Sequence, residues 1–361
     1  MRIAFIVIGN SRRSAYLNGD SIRTGGGGAS GTDGSNILVA EYLATQGYEC
    51  VIATEKLEPQ LEELYKSKGI FPPEGDSIRG VRYTDIEFTG IDNLEFDFVI
   101  SNLWFSEYSK LPLKVTKGVI YWSHMQWLYG VHEVTEYANS FNVPLGLVNI
   151  SKWEKEMNFS HFEHFYKQAN KFFTTIIPNP VADDIIKEVE VKKKKGKFVF
   201  HAAWARGGNV AIDAVRKIDL PHKEFHAFDY LMATHAHKDD FFIMHNGVDK
   251  KTLFSHLAEA EYFFYPLYTP YQDVHKDTFS CVVAEAIALG TLPVTYPLGA
   301  LPEYYSGYCS WLNPPINPLD MQNESLSKDY DGLFNNSEAV KNKFDELEKN
   351  PTSKQHVQAN G

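Results

Sequence analysis

With 361 residues, 43% of them hydrophobic and 14% aromatic, the chain can fill the cores of two ordinary domains and does not belong to the disordered class. Its formal net charge of −11 argues against nucleic-acid binding driven by phosphate contacts. The three cysteines, Cys50, Cys281 and Cys309, are odd in number and lack metal-ligand spacing, so they are expected as reduced core residues of a cytoplasmic protein.

Arg2 to Gly9 is a nearly continuous apolar run, as expected of a parallel strand buried on both faces, and is too short for a signal peptide or a membrane span. A polar, glycine-rich segment follows from Asn10 to Gly34. Its Gly25–Gly28 run reads equally as a functional flap or a slack loop. Asp33 or Ser35 can cap a helix over Ile37–Ala44, Gly47 ends it, and Tyr48–Thr54 is a second strand. Strand, glycine loop, helix and strand open a Rossmann-like unit, although no GxGxxG dinucleotide fingerprint is present.

Residues 55–95 read as variable loops. Further strands are expected over Phe96–Ile100, Gly118–Trp122 and Leu145–Ser151, and a helical region over Lys152–Lys171. Ligands of open parallel sheets bind beyond the carboxyl ends of the strands, which is where His124 falls; a lone histidine is otherwise a packing residue. Thr175–Val181 closes the first domain. The basic run Lys192–Lys195 reads as a solvated linker, with weak peripheral membrane contact as the second reading.

A second strand, loop and helix then run from Lys197 through Arg206 and Gly207 to Val215. A helix is expected over Lys250–Ala260 and a strand over Phe263–Pro266. His235, His237 and His245 invite a metal reading, but no carboxylate or cysteine stands at ligand spacing with them, so no metal site is expected.

From Tyr271 to Tyr304 a polar loop leads into an amphipathic helix with Cys281, Val282, Ala284, Ile287 and Ala288 at helical spacing. If that helix begins near Phe279, Asp277 and Glu285 both face the space at its N-terminus. Free backbone N–H groups and the dipole favour an anion there, and a carboxylate one or two turns inside could accept both hydroxyls of a ribose. Gly290 stops the helix, Leu292–Thr295 is a short buried strand, and a loop holds Gly299, Pro302 and Glu303. Ser337–Leu347 reads as a last helix, Asp329–Asp331 as a loop, and the end of the chain as a loose tail.

The order Asp277-Thr278-Phe279-Ser280-Cys281, Glu285-Ala286, Gly290-Thr291-Leu292-Pro293-Val294 and Gly299-Ala300-Leu301-Pro302-Glu303 resembles the signature of the retaining glycosyltransferases of family 4. Gly34 and Asn36 resemble that family's loop before the first long helix. His124 is similar to its post-strand histidine, Arg206-Gly207 to its Lys-Gly pair, and Asn246 and Val248 to its loop near the nucleotide base. The family has Glu where Asp277 stands, and its upstream Arg is absent.

The resemblance implies an α/β protein of GT-B fold, with two Rossmann-like α/β/α domains facing a central cleft. It divides the chain into 1–182 on the acceptor side, 183–345 binding the nucleotide sugar, and a polar tail over 346–361. It implies transfer of a sugar from a nucleotide-diphosphate donor, a UDP- or GDP-sugar, to a glycan or other hydroxyl acceptor, with retention and with neither metal nor cofactor. Glu285 would hold the ribose, and Arg206 with the amides of Thr278, Phe279, Ser280 and Cys281 the diphosphate. Asp277, Gly299 and His124 would contact the donor sugar. Epimerase or inverting chemistry on the same fold, and a catalytically silent sugar-nucleotide-binding or glycan-binding subunit, remain alternatives.

Overall fold

Continuous apolar runs become parallel strands covered on both faces, and they dominate both halves of the chain. The structure is a computed structural model and describes residues 1–7, 18–24, 31–54, 63, 77–102, 107–124, 130–158, 167, 169–229, 239–246, 248–267, 277–313 and 336–350. The Gly25–Gly28 run, His235, His237, Gly247 and Asp329–Asp331 lie outside these residues. The chain divides into two compact units, Met1–Val181 and Ala182–Gly361.

The first unit contains strands β1 (Arg2–Val7), β2 (Glu49–Thr54), β3 (Ser77–Ile78), β4 (Val81–Asp85), β5 (Glu95–Ser101), β6 (Lys114–Trp122), β7 (Leu145–Asn149) and β8 (Phe172–Ile176). They form one sheet in the order β3-β4-β2-β1-β5-β6-β7-β8, parallel except for the β3–β4 pair. Ile3 pairs with Cys50 on one side and Phe98 on the other, so the chain reverses its direction of travel across the sheet at β1. The helices are α1 (Ser21–Thr24), α2 (Gly31–Thr45) and α3 (Val131–Ser140), with a further helical stretch over 152–158. Ala4, Ile6, Val51, Val99, Val119 and Leu147 are all buried in its core.

The second unit contains β9 (Lys194–His201), β10 (Glu224–Asp229), β11 (Phe242–Asn246), β12 (Ala260–Tyr265), β13 (Leu292–Thr295) and β14 (Ser310–Trp311). The order β11-β10-β9-β12-β13-β14 is parallel throughout. The chain first builds outward from β9 through β10 to β11, then returns to the other side of β9 with β12. Its helices are α4 (Asp183–Glu188), α5 (Gly208–Lys217), α6 (Lys250–Glu259), α7 (Cys281–Ala288), α8 (Leu301–Tyr305) and α9 (Ser337–Lys349). Tyr262, Phe263, Phe264 and Tyr265 are all buried, as a central strand with both faces covered requires. Phe344 of α9 packs edge-on against Phe198 and Tyr262, with ring centroids 5.6 and 5.3 Å away. Burial of such a phenyl ring contributes about 1.5–3 kcal/mol.

Several expectations change. Helix α2 begins at Gly31, ahead of the expected caps, so Gly34 and Asn36 are helical rather than part of a loop. Ser35 Oγ and Asn36 Nδ2 donate to the carbonyls of Gly31 and Thr32, at 2.6 and 2.9 Å, and these bonds back to residue i−4 belong to a helix interior. The segment over 55–95 supplies β3 and β4. Pro302 and Glu303 lie in the short helix α8 instead of a loop, with proline tolerated in its first turn. Helix α9 runs to Lys349, and Tyr262 OH donates to Glu348 at 2.5 Å, so residues 346–349 pack in the second unit.

The basic run is not a solvated linker throughout. The Lys193 ammonium donates to the Leu257 and Leu289 carbonyls, at 3.2 and 2.8 Å, and to Thr291 Oγ1 at 2.9 Å. It thereby satisfies carbonyls at the C-terminal ends of both α6 and α7, where a cation is favoured.

Candidate functional site

In the second unit the direction of chain travel reverses between β9 and β12. The carboxyl ends of two such strands leave a crevice between the connections that depart to opposite sides. Two of the expected site residues, Arg206 and Asp277, gather there through a third residue, Tyr265, the last residue of β12. Arg206 Nη1 donates to Tyr265 OH at 3.1 Å, and Tyr265 OH donates to Asp277 Oδ2 at 2.7 Å. Arg206 also stands 3.6 Å from Asp277 Oδ1, with 34% of its side chain exposed against 10% for Asp277. Burial, and then the Asp277 charge, push the Tyr265 phenol up, so it serves as a neutral bridge between the guanidinium and the carboxylate.

Local sequence explains this placement. After β9 a one-turn 3₁₀ helix, Trp204–Arg206, turns at Gly207 directly into α5. A side chain at Gly208 would begin 2.3 Å from the Trp204 indole, so glycine lets the helix start immediately beneath that ring. On the opposite side Gly299 lies against Asp277. A Cβ there would meet the Asp277 carbonyl oxygen at 2.3 Å, and the backbone has φ +62°, while Ala300 N–H donates to that same carbonyl at 2.8 Å. Gly299→Ala is therefore expected to displace Asp277 and to lose at least about 1–3 kcal/mol from the left-handed backbone alone. Chemical denaturation of the variant measures this.

Asp277 leads into α7 through Thr278 and Phe279, both largely buried, and Ser280. The helix begins at Cys281, later than the sequence reading placed it. Ser280 sits at its N-cap with φ 67° and makes no side-chain cap; its carbonyl accepts from Tyr305 OH at 3.2 Å. Phe279 meets the Tyr304 ring edge-on at 5.0 Å. The first turn of α7 thus presents backbone N–H groups without a capping side chain.

Glu285, one turn further on, is 1% exposed. Its Oε1 accepts from the Lys250 ammonium, and its buried Oε2 has no hydrogen-bond partner. Lys250 opens α6, whose N-cap Asp249 accepts from Thr252 N–H at 2.8 Å. Burial, with the Lys250 charge second, pushes the His201 imidazole at the end of β9 down to about 3. Asn246 is the last residue of β11 rather than part of a loop, and Val248 is half-buried just beyond it. The sequence reading passed over Lys250 and Tyr265. Tyr265 could have been found from its position at the carboxyl end of a strand next to the switch point, whereas nothing local marks Lys250.

Gly34, Asn36 and His124 belong to the first unit. Asn36 is fully buried, and its Oδ1 has no hydrogen-bond partner. His124 follows the end of β6, 6% exposed, its ring 4.8 Å from that of Trp122, and burial pushes it down to about 3. Beside it, Ser123 Oγ donates to Glu154 at 3.0 Å and accepts from Asn158 at 3.2 Å, while Ile150 N–H donates to the other Glu154 oxygen at 2.6 Å.

These imidazoles set a pH dependence. His124 and His201 are held down to about 3, His245 and His256 to about 4, and His226 is also lowered, all chiefly by burial. An unfolded histidine takes its proton near 6.5, so the unfolded chain binds more protons as pH falls below that value. The fold therefore loses stability as pH falls through this window. Glu154, raised by burial, works the other way but is a single group. The melting temperature is expected to be clearly lower at pH 5 than at pH 7.5, which a thermal melt in matched buffers checks.

Among known structures the chain is similar to a sucrose-phosphate synthase from Thermosynechococcus elongatus, with a TM-score of 0.59 at 13% identity, covering 99% of this chain and 94% of that one. The fold is GT-B. Anabaena HepE in complex with UDP and glucose is similar with a TM-score of 0.50 at 11% identity, covering 100% of this chain and 93% of that one. The sequence matches no protein-family model and no curated protein. Among the described residues no helix is long and apolar enough to cross a membrane.

Proposed function

We propose that this GT-B protein is a glycosyltransferase that takes its sugar from a nucleotide diphosphate, and that the second unit holds the donor. The observation that carries the reading is Glu285: a buried carboxylate with one oxygen lacking a partner, one turn inside a helix whose uncapped N-terminus follows the Arg206–Tyr265–Asp277 cluster. Such a carboxylate suits a ribose diol, and the helix amides with Arg206 suit a diphosphate. The UDP and glucose bound by HepE support a UDP- or GDP-sugar as the donor. The acceptor, a glycan or another hydroxyl compound, is assigned to the first unit, with Asn36 as its candidate polar group.

The reaction assigned is retaining, as the resemblance to family 4 implies. The bond from the anomeric carbon to the phosphate oxygen breaks, and the acceptor oxygen bonds to that carbon on the same face. The acceptor proton passes to the leaving phosphate. Asp277 is already engaged by Arg206 and Tyr265, which suits a sugar-contacting role better than that of a nucleophile. Charge developing on the diphosphate falls to Arg206 and the α7 amides, which do electrostatically what a metal ion does elsewhere.

The test is a thermal-shift screen against UDP, GDP, ADP and their sugar conjugates without added metal. Stabilisation by one nucleotide family is expected, and folded protein that responds to none of them would overturn the reading. Product anomeric configuration then separates retention from inversion.

A further inference from the structure

We propose that His226, His245 and His256 form a binding site for a divalent transition-metal ion, Zn²⁺ or a first-row neighbour, distinct from the Arg206–Tyr265–Asp277 cluster and from Glu285. Strands β10 and β11 pair with Phe228 opposite His245 and His226 opposite Ile243, so His226, Phe228 and His245 share one face of the sheet. Helix α6 places His256 against them. The ring centroids of the three histidines stand 4.6 to 5.2 Å apart. One ring nitrogen from each lies within 4.8 Å of the others.

Two of the nitrogens face one another. His226 Nδ1 faces His245 Nε2 at 2.9 Å between nearly parallel rings 13° apart. Two nitrogens on one tetrahedral ion, with metal–nitrogen bonds of about 2.0–2.1 Å, stand about 3.3 Å apart, so an ion replaces the shared proton after a small opening of this pair. Glu224 lies 3.3 Å from His226 Nε2; it can accept only from the tautomer with the hydrogen on that nitrogen, whose Nδ1 lone pair then faces His245. A carboxylate behind a histidine is the usual support of a metal ligand.

The buried Nδ1 of His256 has no hydrogen-bond partner, an uncommon cost that an ion would remove. Lys197, a cation that acts on all three rings, is itself paired with Glu259 at 2.5 Å. A three-imidazole set leaves a fourth position for water and favours zinc, cobalt, nickel or copper over magnesium or calcium.

An ion here would tie β10, β11 and α6 together. It would therefore fix the helix that carries Lys250, and the strand end that carries Asn246.

The test uses tag-free, chelator-treated full-length protein titrated with Zn²⁺ by calorimetry and with Co²⁺ by visible absorption. One equivalent of each is expected, with the d–d bands of a tetrahedral site for Co²⁺ and a raised melting temperature for Zn²⁺. His256→Ala, on the half-buried α6 position, should abolish the bands while leaving the metal-free melt near that of wild type. Glu224→Gln should weaken binding roughly 10–100-fold. If His256→Ala unfolds, His256→Gln gives the same reading. Absence of stoichiometric binding by the wild type overturns the proposal, and so does a stoichiometric site that survives both His245→Ala and His256→Ala.

Discussion

Glu285→Ala is expected to lose nearly all nucleotide affinity and turnover, with the second unit still folded but less stable. Its carboxylate is almost fully buried and holds the Lys250 ammonium, which keeps 20% of its side-chain surface. Removing one member of a buried pair costs about 3–5 kcal/mol, and the partial exposure of Lys250 places this case toward the lower end. The functional loss is separable from that cost. Lys250→Met in the Glu285→Ala background removes the stranded charge and should recover stability while leaving nucleotide binding absent. Calorimetric UDP and GDP titrations of the single and double variants, beside their denaturation midpoints, make the measurement. Full nucleotide affinity in the double variant would remove Glu285 from the ribose site.

Arg206→Ala is expected to lower turnover by about 10²–10³-fold, the loss found when one electrostatic stabiliser of a transition state is removed. The side chain is one-third exposed and its packing role is small, so the melting temperature should move little. Tyr265 keeps Asp277 hydrogen-bonded in its absence. Arg206→Lys should recover part of the rate, because an ammonium keeps the charge but loses the planar fork that grips two phosphate oxygens. Steady-state kinetics on the donor identified by the nucleotide screen separates the two effects. A change confined to KM would assign Arg206 to ground-state binding alone.

The parts of the fold legible in the sequence were those with both faces covered. Leu292–Thr295 matches β13 residue for residue, and the strand expected over Phe263–Pro266 overlaps β12 as far as Tyr265, because parallel central strands are written as unbroken apolar runs. Strand β10 was not legible. Glu224-Phe225-His226-Ala227-Phe228-Asp229 carries charge at both ends and a histidine inside, and it becomes a strand through its pairing with β9 and β11. Val81–Asp85 likewise alternates polar and apolar residues next to Gly80 and reads as loop until β2 lies beside it.

In the site, Asp277, Glu285 and Gly299 could be picked out because they belong to one continuous stretch. Lys250 could not, because its pairing with Glu285 spans 35 residues and depends on how α6 meets α7. The three histidines failed in the same way. The sequence reading weighed His235 and His237, which lie outside the described residues, beside His245, whereas His226 and His256 meet His245 only through the pairing of β10 with β11 and the packing of α6.

The Lys193 clamp bears on the order in which the second unit assembles. Its acceptors lie 64, 96 and 98 residues further along the chain, so none is in place until α6, α7 and the turn into β13 have formed. With so long a loop to close, the contact is expected to form after the folding barrier, which a φ-value near zero for Lys193→Met would show. Interactions absent from the transition state leave the folding rate unchanged and slow only the escape from the native state. Lys193 thus acts as a latch: it adds lifetime to the assembled sheet and leaves the speed of assembly to β9, β10 and the strands that join them.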